Sequence, residues 1–198
     1  MRIICVRFGK KFTDWHVKNL KYMIDNYSGL NYDSFEVIEN DIYGNWYNKF
    51  QMYDKFRDGE NLYFDLDVVI YKKLPNLIRK EFTLLYDYWR KDVKSHTPLN
   101  SSIVSWTGDV SHIWNKFKIK DKFYLEKYYK GSDEFYYREI KYKTFDDICY
   151  SIKDHEYEKD GNPNYSICTM GQMHHLMEPG WTGWWSNYFI NSKAASKV

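Results

Sequence analysis

The chain has few of the residues that mark secreted, fibrous or membrane-spanning proteins. Its 198 residues include three cysteines, four prolines and ten glycines, and no run approaches the ~18 apolar residues of a spanning helix. The odd number of cysteines, all in apolar settings, predicts reduced core thiols rather than a disulfide framework. Residues 2–8 open as a strand instead of a signal peptide, so we expect a soluble cytoplasmic protein, in the host cytoplasm if the chain is viral.

The chain also lacks an excess of charge of one sign. Its 29 Lys and Arg against 27 Asp and Glu give a net charge of +2, which offers no general electrostatic case for a nucleic-acid or membrane partner. Lysines and aromatic residues alternate over residues 116–130, as they would in a nucleic-acid groove. Asp121 and Glu126 dilute that pattern and favour a solvated amphipathic face, so we expect neither nucleic acid nor membrane among the partners.

What the chain does contain is an alternation of strand and helix patterns along its length. Apolar residues spaced three and four apart predict a helix from Thr13 to Ser28, stopped by Gly29. This alternation predicts an α/β fold with a mixed, mostly parallel sheet flanked by helices, in one domain over residues 1–190 with a loose tail over 191–198. Further predicted strands cover residues 2–8, 35–38, 61–70, 82–86 and 102–106; predicted helical segments cover 46–56, 75–79 and 113–117; residues 134–141, 147–152 and 165–170 are helix or strand.

The most informative stretch places two carboxylates in a run that otherwise reads as a buried strand. Asp65 and Asp67 follow Leu-Tyr-Phe and precede Val-Val-Ile. Alternate side chains of a strand share one face, so the pair would repel each other unless a divalent cation relieved the repulsion. The pattern favours a metal-bound phosphate ligand. The alternative is a pair of strand-end aspartates that cap a turn or meet a Lys or Arg.

Five stretches in a shared order resemble metal-dependent glycosyltransferases of the GT-A fold, near the glycogenin-like and small viral or bacterial members. They are similar to the family's opening strand and loop, its W-x-N-K helix, its D-x-D strand, its N-S-S sugar-pocket strand and its later G-D-Q-like turn. The stretches are ICVRFGKKF (residues 4–12), WYNKFQMY (46–53), LYFDLD (62–67), NSSIVSW (100–106) and GSDE (131–134). The resemblance implies a single-domain GT-A (Rossmann-like) fold and transfer of a sugar from a nucleotide-sugar donor, most simply a UDP-sugar, to an unknown acceptor.

The resemblance also implies roles around the donor. Phe8 lies in the loop that would hold the nucleotide, and Lys49 is the candidate phosphate contact, with an exposed helix lysine as the alternative. Asp67 would coordinate Mn²⁺ or Mg²⁺ directly. Asp65 would bind the ribose hydroxyl or reach the metal through water. Asn100 and Ser101 would hydrogen-bond the sugar, although Asn-Ser-Ser is also ordinary turn chemistry.

Two further roles complete the expected site. Asp133 or Glu134 would orient the acceptor hydroxyl or serve as its general base. The family's third metal ligand is a His near the C-terminus, and this chain carries Met170 there, a soft donor that suits Mg²⁺ or Mn²⁺ poorly. His174 or His175 would then reach the metal from the next turn, or the site has two protein ligands; we take His175 as the candidate.

Two other function classes stay open. Residues 61–69 also resemble the D-x-D-x-V motif of haloacid-dehalogenase-like phosphatases, with Asp146 and Asp147 as a late metal-binding pair, although that motif normally lies on the first strand. A non-catalytic nucleotide-sugar-binding protein of the same fold is the other alternative. Clustered tryptophans near the C-terminus could stack on sugar rings, but core packing is the favoured reading; they are Trp181, Trp184 and Trp185.

Overall fold

The computed structural model describes residues 1–86, 97–145, 147–152, 161–171, 175, 177–178 and 183–190. The described strands are β1 (Arg2–Val6), β2 (Ser34–Ile38), β3 (Glu60–Phe64), β4 (Val68–Ile70), β5 (Thr83–Tyr86), β6 (Leu99–Thr107), β7 (Lys143–Thr144), β8 (Cys149–Ser151) and β9 (Ile167–Thr169). The described α-helices are α1 (Asp14–Met23), α2 (Met52–Lys55), α3 (Ser111–Lys118), α4 (Lys122–Tyr128) and α5 (Ser132–Glu139). A π-helical turn (Ile24–Ser28) extends α1, and two 3₁₀ helices cover Trp46–Gln51 and Trp184–Tyr188.

Six of these strands form one mixed sheet in the order β2-β1-β3-β6-β5-β7. Its parallel pairings are β1 with β2, β1 with β3 and β5 with β7. Strand β6 runs antiparallel to both of its neighbours, β3 and β5. Because three of the five pairings are parallel, the predicted mixed, mostly parallel sheet is confirmed.

The two faces of this sheet are covered by different groups of elements. Alternate side chains of β1 point to opposite faces, so Ile3 and Cys5 enter one buried apolar cluster while Ile4 and Val6 enter another. The first cluster, on the face with α1, also contains side chains of the smaller sheet. The second contains side chains of α2, α3, α4 and α5. Burial on both faces explains why the strands read as continuous apolar runs.

Helix α1 follows its apolar spacing. Leu20, Met23 and Ile24 are fully buried, and the backbone N–H of Thr13 donates to Nδ1 of His16 at 3.1 Å at the start of the helix. Gly29, with φ of +69°, ends the π-helical turn in the left-handed region that a glycine adopts without strain. The predicted helix over this segment is confirmed.

The predicted single strand over residues 61–70 is wrong. Strand β3 stays in the large sheet, whereas β4 belongs to a smaller sheet in the order β4-β9-β8. The residues between them, 65–67, form a turn and not a strand. The physical reason is that each half finds a different hydrogen-bonding partner, since β3 pairs with β6 and β4 pairs with β9. Strand alternation therefore does not orient Asp65 and Asp67.

The predicted helical turn over residues 75–79 is also wrong. The backbone N–H groups that would close such a turn are bonded elsewhere. Ile78 donates its N–H to Oδ1 of Asn76 at 2.9 Å, and Arg79 donates its N–H to Oγ of Ser105 in β6 at 3.1 Å. The segment runs without regular structure towards β5.

Two expectations about buried residues are confirmed. The three cysteines are buried thiols, and burial raises the pKa of the Cys5 thiol to about 12. Trp184 and Trp185 pack in the first apolar cluster, while Trp181 and the predicted tail over 191–198 lie outside the described residues. Among the helices described, none combines the length and the apolar character needed to cross a bilayer.

Candidate functional site

The predicted site residues converge on one edge of the large sheet. Strands β1 and β3 are parallel, so their carboxyl ends share this edge, and ligands of such sheets bind there. Strand β6 runs the other way and begins at the same edge. The N–H of Asp65 donates to the carbonyl of Ser102 at 2.8 Å, which ties the turn after β3 to the start of β6.

Asp65 is neutralised by the chain itself. Its Oδ1 accepts hydrogen bonds from the Lys49 ammonium at 3.1 Å and from the Tyr63 hydroxyl. The same ammonium lies 5.0 Å from the centroid of the Tyr63 ring. Sequence analysis left open that one of the two aspartates pairs with a Lys or Arg, and Asp65 does so with Lys49.

Lys49 is held in place by its own helix. Asn45 starts the 3₁₀ helix by accepting the Tyr47 N–H at 2.9 Å, and the buried Asn48 carboxamide accepts the N–H groups of Ile42 and Tyr43 at 2.9 and 3.1 Å. These bonds fix the helix against the loop before it. Lys49 is only 5% exposed, which excludes the reading of an exposed helix lysine.

Ser101 links Lys49 to the start of α5. The Lys49 ammonium donates to the Ser101 hydroxyl at 3.1 Å and to its carbonyl at 3.2 Å. Asp133 accepts from the Ser101 N–H at 2.9 Å and from its hydroxyl at 2.5 Å. The hydroxyl of Ser132 lies 3.2 Å from that of Ser101. The buried Lys49 ammonium thus bonds Asp65 directly, and Ser101 connects it to Asp133.

Glu134 is engaged differently from Asp133. Its carboxylate accepts the Lys130 N–H at 2.6 Å and pairs with Arg138 one helical turn later. Both contacts stay within α5 and the segment before it. Of the two acidic residues in the first turn of α5, Asp133 is the one that contacts the Lys49 and Ser101 network.

Asp67 lies on the other side of the turn and is only 8% exposed. Burial and, after it, the nearby Asp65 charge raise the pKa of its carboxyl to about 7, against the opposing charges of Lys11 and Lys49. The carbonyl of Asp67 accepts the Met170 N–H at 2.8 Å, which ties the turn to the end of β9. Within the described residues, the ion pairs of this turn involve Asp65 and not Asp67.

The expected third metal ligand is not at the turn. Met170, at the sequence position where the resemblance expects a His, is buried, and its N–H donates to the Asp67 carbonyl. His175 is exposed, its carbonyl accepts the Glu178 N–H at 3.1 Å, and His174 lies outside the described residues. In the described part of the chain, no three His, Cys, Asp or Glu side chains are grouped as a metal site.

The remaining predicted residues border this edge. Asn100 is buried, and its Oδ1 accepts the Ser102 N–H at 2.8 Å, which orders the start of β6. Phe8 follows the carboxyl end of β1 and packs half-buried against the second apolar cluster. These contacts place both residues in the framework of the site.

Sequence reasoning missed Tyr63, Ser132 and Lys11. Tyr63 is part of the apolar strand β3, yet its hydroxyl binds Asp65, and only the turn that follows brings the two together. Ser132 stands beside the predicted Asp133, a signal that could have been used. Lys11 acts on Asp67 through its charge, and its position in the loop after β1 was the available clue.

The donor set fits a hard divalent cation. Asp65 and Asp67 offer carboxylate oxygens, the ligands that Mg²⁺ and Mn²⁺ prefer. Mg²⁺ commonly binds one or two carboxylates and completes its coordination with water and substrate phosphates, so two protein ligands suffice. Three carboxylates against one buried ammonium also leave this edge net negative once Asp67 is ionised.

Comparison with known proteins gives a result at the level of the fold. No protein-family model matches the chain, and no curated protein matches it in sequence. Among solved structures it is similar to the galactosyltransferase LgtC in complex with donor and acceptor sugar analogues (9% identity, TM-score 0.59, all of both chains). It is similar to the glycosyltransferase GlyE of Streptococcus pneumoniae TIGR4 (10% identity, TM-score 0.63, 99% of this chain).

A third solved structure extends the comparison to a viral system. It is a glycosyltransferase involved in the glycosylation of the major capsid of PBCV-1, with 13% identity, a TM-score of 0.61, and coverage of 89% of this chain and 97% of that one. The chain spans 63% of the length of GlyE. Across these structures the likeness extends over 89% to 100% of this chain. The chain therefore has the GT-A fold of glycosyltransferases.

Proposed function

We propose that the protein is a metal-dependent glycosyltransferase that uses a nucleotide-sugar donor, a UDP-sugar, with Mn²⁺ or Mg²⁺. The observation that carries the proposal is the buried Asp65–Asp67 turn at the carboxyl ends of β1 and β3, in a fold shared with LgtC, GlyE and the PBCV-1 enzyme. The acceptor is a glycan, a protein or a small molecule.

Asp67 is the proposed direct metal ligand. Its carboxyl is buried and forms no ion pair within the described residues. A bound cation would compensate the negative charge of the carboxylate, which burial disfavours. A bound divalent cation supplies Lewis-acid stabilisation of the negative charge that develops on a diphosphate leaving group. Asp65, already held by Lys49 and Tyr63, would bind the ribose or the metal through water.

Lys49 is proposed to act on the diphosphate while it orients Asp65. An ammonium shared between Asp65 and Ser101 lies at the edge where the donor would bind, and its charge favours an anionic ligand. A variant such as Lys49→Ala that still folds should therefore lose more affinity for UDP than for uridine. Equal losses for the two ligands would make Lys49 purely structural.

Asp133 is the proposed group for the acceptor hydroxyl. Ser101 holds its Oδ1 with two hydrogen bonds, which leaves the second carboxylate oxygen to accept a proton if the reaction inverts the sugar. Glu134 is the weaker candidate because Arg138 and the Lys130 N–H occupy it. Asn100 and Ser101 are proposed to contact the sugar, Phe8 the nucleotide, and His175 the metal after a rearrangement of its segment.

The test is a panel of nucleoside diphosphate sugars incubated with the protein and Mn²⁺, with release of the nucleoside diphosphate as the readout. We expect one UDP-sugar to be consumed, slowly without acceptor and faster with one, and consumption to stop in a chelator. The Asp133→Asn variant should bind UDP as the wild type does but release less product. Turnover that is unchanged in a chelator would overturn the metal-dependent proposal.

Met170 favours a second candidate, a non-catalytic nucleotide-sugar-binding protein of the same fold. A thioether in place of the expected His leaves two carboxylates among the described residues, enough to bind but with a weaker hold on the metal. This candidate predicts metal-dependent binding of a UDP-sugar without release of UDP in the same panel.

The phosphatase alternative is separated by its own substrate. Of the two aspartates that would form its late metal-binding pair, Asp146 lies outside the described residues. The carboxylate of Asp147 accepts a hydrogen bond from the Tyr165 hydroxyl at 2.7 Å. Turnover of p-nitrophenyl phosphate, without turnover of any nucleotide sugar, would support it over both other candidates.

A further inference from the structure

Two large apolar side chains project into solvent where α3 meets α4. Ile119, the residue after α3, is 76% exposed, and Phe123, in the first turn of α4, is 74% exposed. Residues of these types are among those most often buried in folded proteins. Two of them at one helix corner form an apolar point that the fold does not cover.

Two further aromatic side chains of α4 adjoin this apolar point, since the Lys127 ammonium lies 5.9 Å from the centroid of the Phe123 ring and 5.2 Å from that of the Tyr128 ring. Leu125 anchors the helix in the second apolar cluster, while Tyr124 and Tyr128 are 39% and 47% exposed. Asp121 fixes the start of the helix, since its carboxylate accepts the Tyr124 N–H at 2.8 Å. The apolar point and the tyrosines therefore belong to one ordered surface, which we call the α3–α4 corner.

Positive charge is concentrated at this corner. Residues 116–130 carry six lysines against Asp121 and Glu126. Glu139 also lies here and pairs with Lys116 at 3.1 Å, so this group carries a net charge of +3, whereas the whole chain carries +2. The rest of the protein is therefore net negative. The ammonium of Lys120 lies 4.8 Å from the centroid of the Tyr124 ring, and that of Lys127 lies 5.2 Å from the Tyr128 ring.

We propose that the α3–α4 corner docks on an anionic lipid bilayer surface. This departs from the sequence-based expectation of no membrane partner, which rested on charge alone and not on the exposure of Ile119 and Phe123. Apolar side chains that insert into the headgroup region, flanked by tyrosine and lysine, are the combination that holds a protein on such a surface without a spanning helix. Neither part suffices alone. The charge brings the corner to the anionic headgroups, and insertion of Ile119 and Phe123 holds it there.

A nucleic-acid strand fits the corner less well than a bilayer does. Base stacking needs open aromatic faces, and lysine ammoniums lie over the rings of Tyr124 and Tyr128. Ile119 has no ring on which a base could stack, yet it is the most exposed of the large apolar residues described. A hydrocarbon environment accounts for both Ile119 and Phe123.

Docking would bring the candidate site close to the membrane. Tyr128 ends α4 three residues before Gly131, and α5 with Asp133 begins directly afterwards. A Cβ placed on Gly131 would lie 3.6 Å from Nε1 of Trp46, which is half exposed and starts the Lys49 helix. The corner and the site thus share a border, although the docking proposal does not depend on the proposed function.

The experiment is co-sedimentation of the purified full chain with phosphatidylcholine vesicles, with and without phosphatidylglycerol. We expect binding to the anionic vesicles that weakens as salt is raised. The Ile119→Ser/Phe123→Ser variant should lose about tenfold or more in affinity. The Lys120→Glu/Lys127→Glu variant should lose at least about fivefold for each lysine. Lys18→Glu, on α1 at the opposite face of the sheet, is the control for the single variants Lys120→Glu and Lys127→Glu, because each of the three changes the net charge by −2. It should bind as the wild type does.

Each of the other outcomes overturns the proposal. They are no sedimentation with anionic vesicles, equal binding to neutral and anionic vesicles, or the same affinity in the corner variants and in Lys18→Glu. A single-stranded oligonucleotide that binds through the corner lysines, while vesicles do not bind, would assign the surface to nucleic acid instead. Among the substituted side chains of the corner variants, Ile119, Phe123 and Lys127 are exposed and Lys120 is half-buried. Unchanged thermal unfolding verifies that each variant remains folded.

Discussion

Asp65 and Asp67 are two residues apart, yet they lie at the ends of different sheets and in opposite electrostatic conditions. Asp65 directly follows β3 of the large sheet, and hydrogen bonds from Lys49 and Tyr63 already satisfy its carboxylate. Asp67 directly precedes β4 of the small sheet, and burial and the Asp65 charge raise its pKa to about 7. The difference shows that Asp65 is already paired with groups of the chain, whereas the ionised carboxylate of Asp67 is disfavoured by burial and would be stabilised by a bound cation.

The largest expected effect on stability comes from removing the Lys49–Asp65 ion pair. Lys49→Ala leaves the buried part of the Asp65 carboxylate without its cation, and we expect a loss of about 3 kcal/mol in the free energy of unfolding. Chemical denaturation of the metal-free protein measures it. The exposed Lys18→Ala is the control, with an expected change within about 0.5 kcal/mol.

A second variant shows whether the pairing causes this loss. Lys49→Ala combined with Asp65→Asn removes the unpaired charge and should recover part of the stability. If Lys49→Ala is as stable as the wild type, the ammonium does not hold Asp65.

The electrostatic asymmetry lies beyond what the sequence could predict, because it depends on contacts between distant elements. Periodicity was enough for α1, for the first strands and for the mixed, mostly parallel sheet, since the period of apolar residues directly reflects which face is buried. It could not show that the apolar run around the aspartates divides between two sheets. Nor could it pair Lys49 with Asp65, because that contact requires the 3₁₀ helix to lie across the end of β3.

Residues of several motifs meet at one edge of the sheet, but the motifs did not describe the hydrogen bonds there. Asp65, Ser101 and Asp133 come from separate motifs, and the fold joins them in one network, in which Lys49 bonds Asp65 and Ser101 while Ser101 bonds Asp133. The expected helical turn over 75–79 failed for a related reason. Its N–H groups bond to Asn76 and to Ser105 of β6, and the second of these partners is set by tertiary structure.

The next largest effect is the pH dependence of metal-assisted UDP binding, which tests the role of Asp67. With a pKa of about 7, Asp67 changes from neutral to charged in the range where Asp65 stays paired. Since the metal needs the carboxylate, UDP affinity in Mg²⁺ should fall about tenfold between about pH 8 and about pH 6. Calorimetric titration at the two pH values measures this. Equal affinities would show that Asp67 does not bind the cation.

The same pKa predicts the pH dependence of the metal-free fold. Folding raises the pKa of Asp67 above its value in the unfolded chain, so between about pH 4 and about pH 7 the native state binds more protons. The contribution of this group to stability is complete below the unfolded pKa and is lost as the pH rises through about 7. Asp67→Asn should remove this dependence, which unfolding curves across that range would show.

The smallest effect concerns the connection between the two carboxylates of the Lys49 network. Ser101→Ala removes one hydroxyl that bonds both Lys49 and Asp133, while the Ser101 N–H still donates to Asp133. We expect a loss of about 1 kcal/mol in unfolding free energy. Ser101→Thr keeps the hydroxyl and should lose less. Equal losses in both variants would attribute the effect to packing of β6.

The most direct measurement is UDP binding in Mn²⁺ and in a chelator, compared between the wild type, Asp67→Asn and Asp58→Asn, a control carboxylate just before the opposite end of β3. The account predicts tight binding in Mn²⁺ for the wild type and Asp58→Asn, and a loss of at least about a hundredfold for Asp67→Asn, roughly 2.7 kcal/mol. Metal-free Asp67→Asn should be at least as stable as the wild type, because its buried side chain carries no charge. A less stable Asp67→Asn that still binds UDP with metal would contradict the account at its central residue.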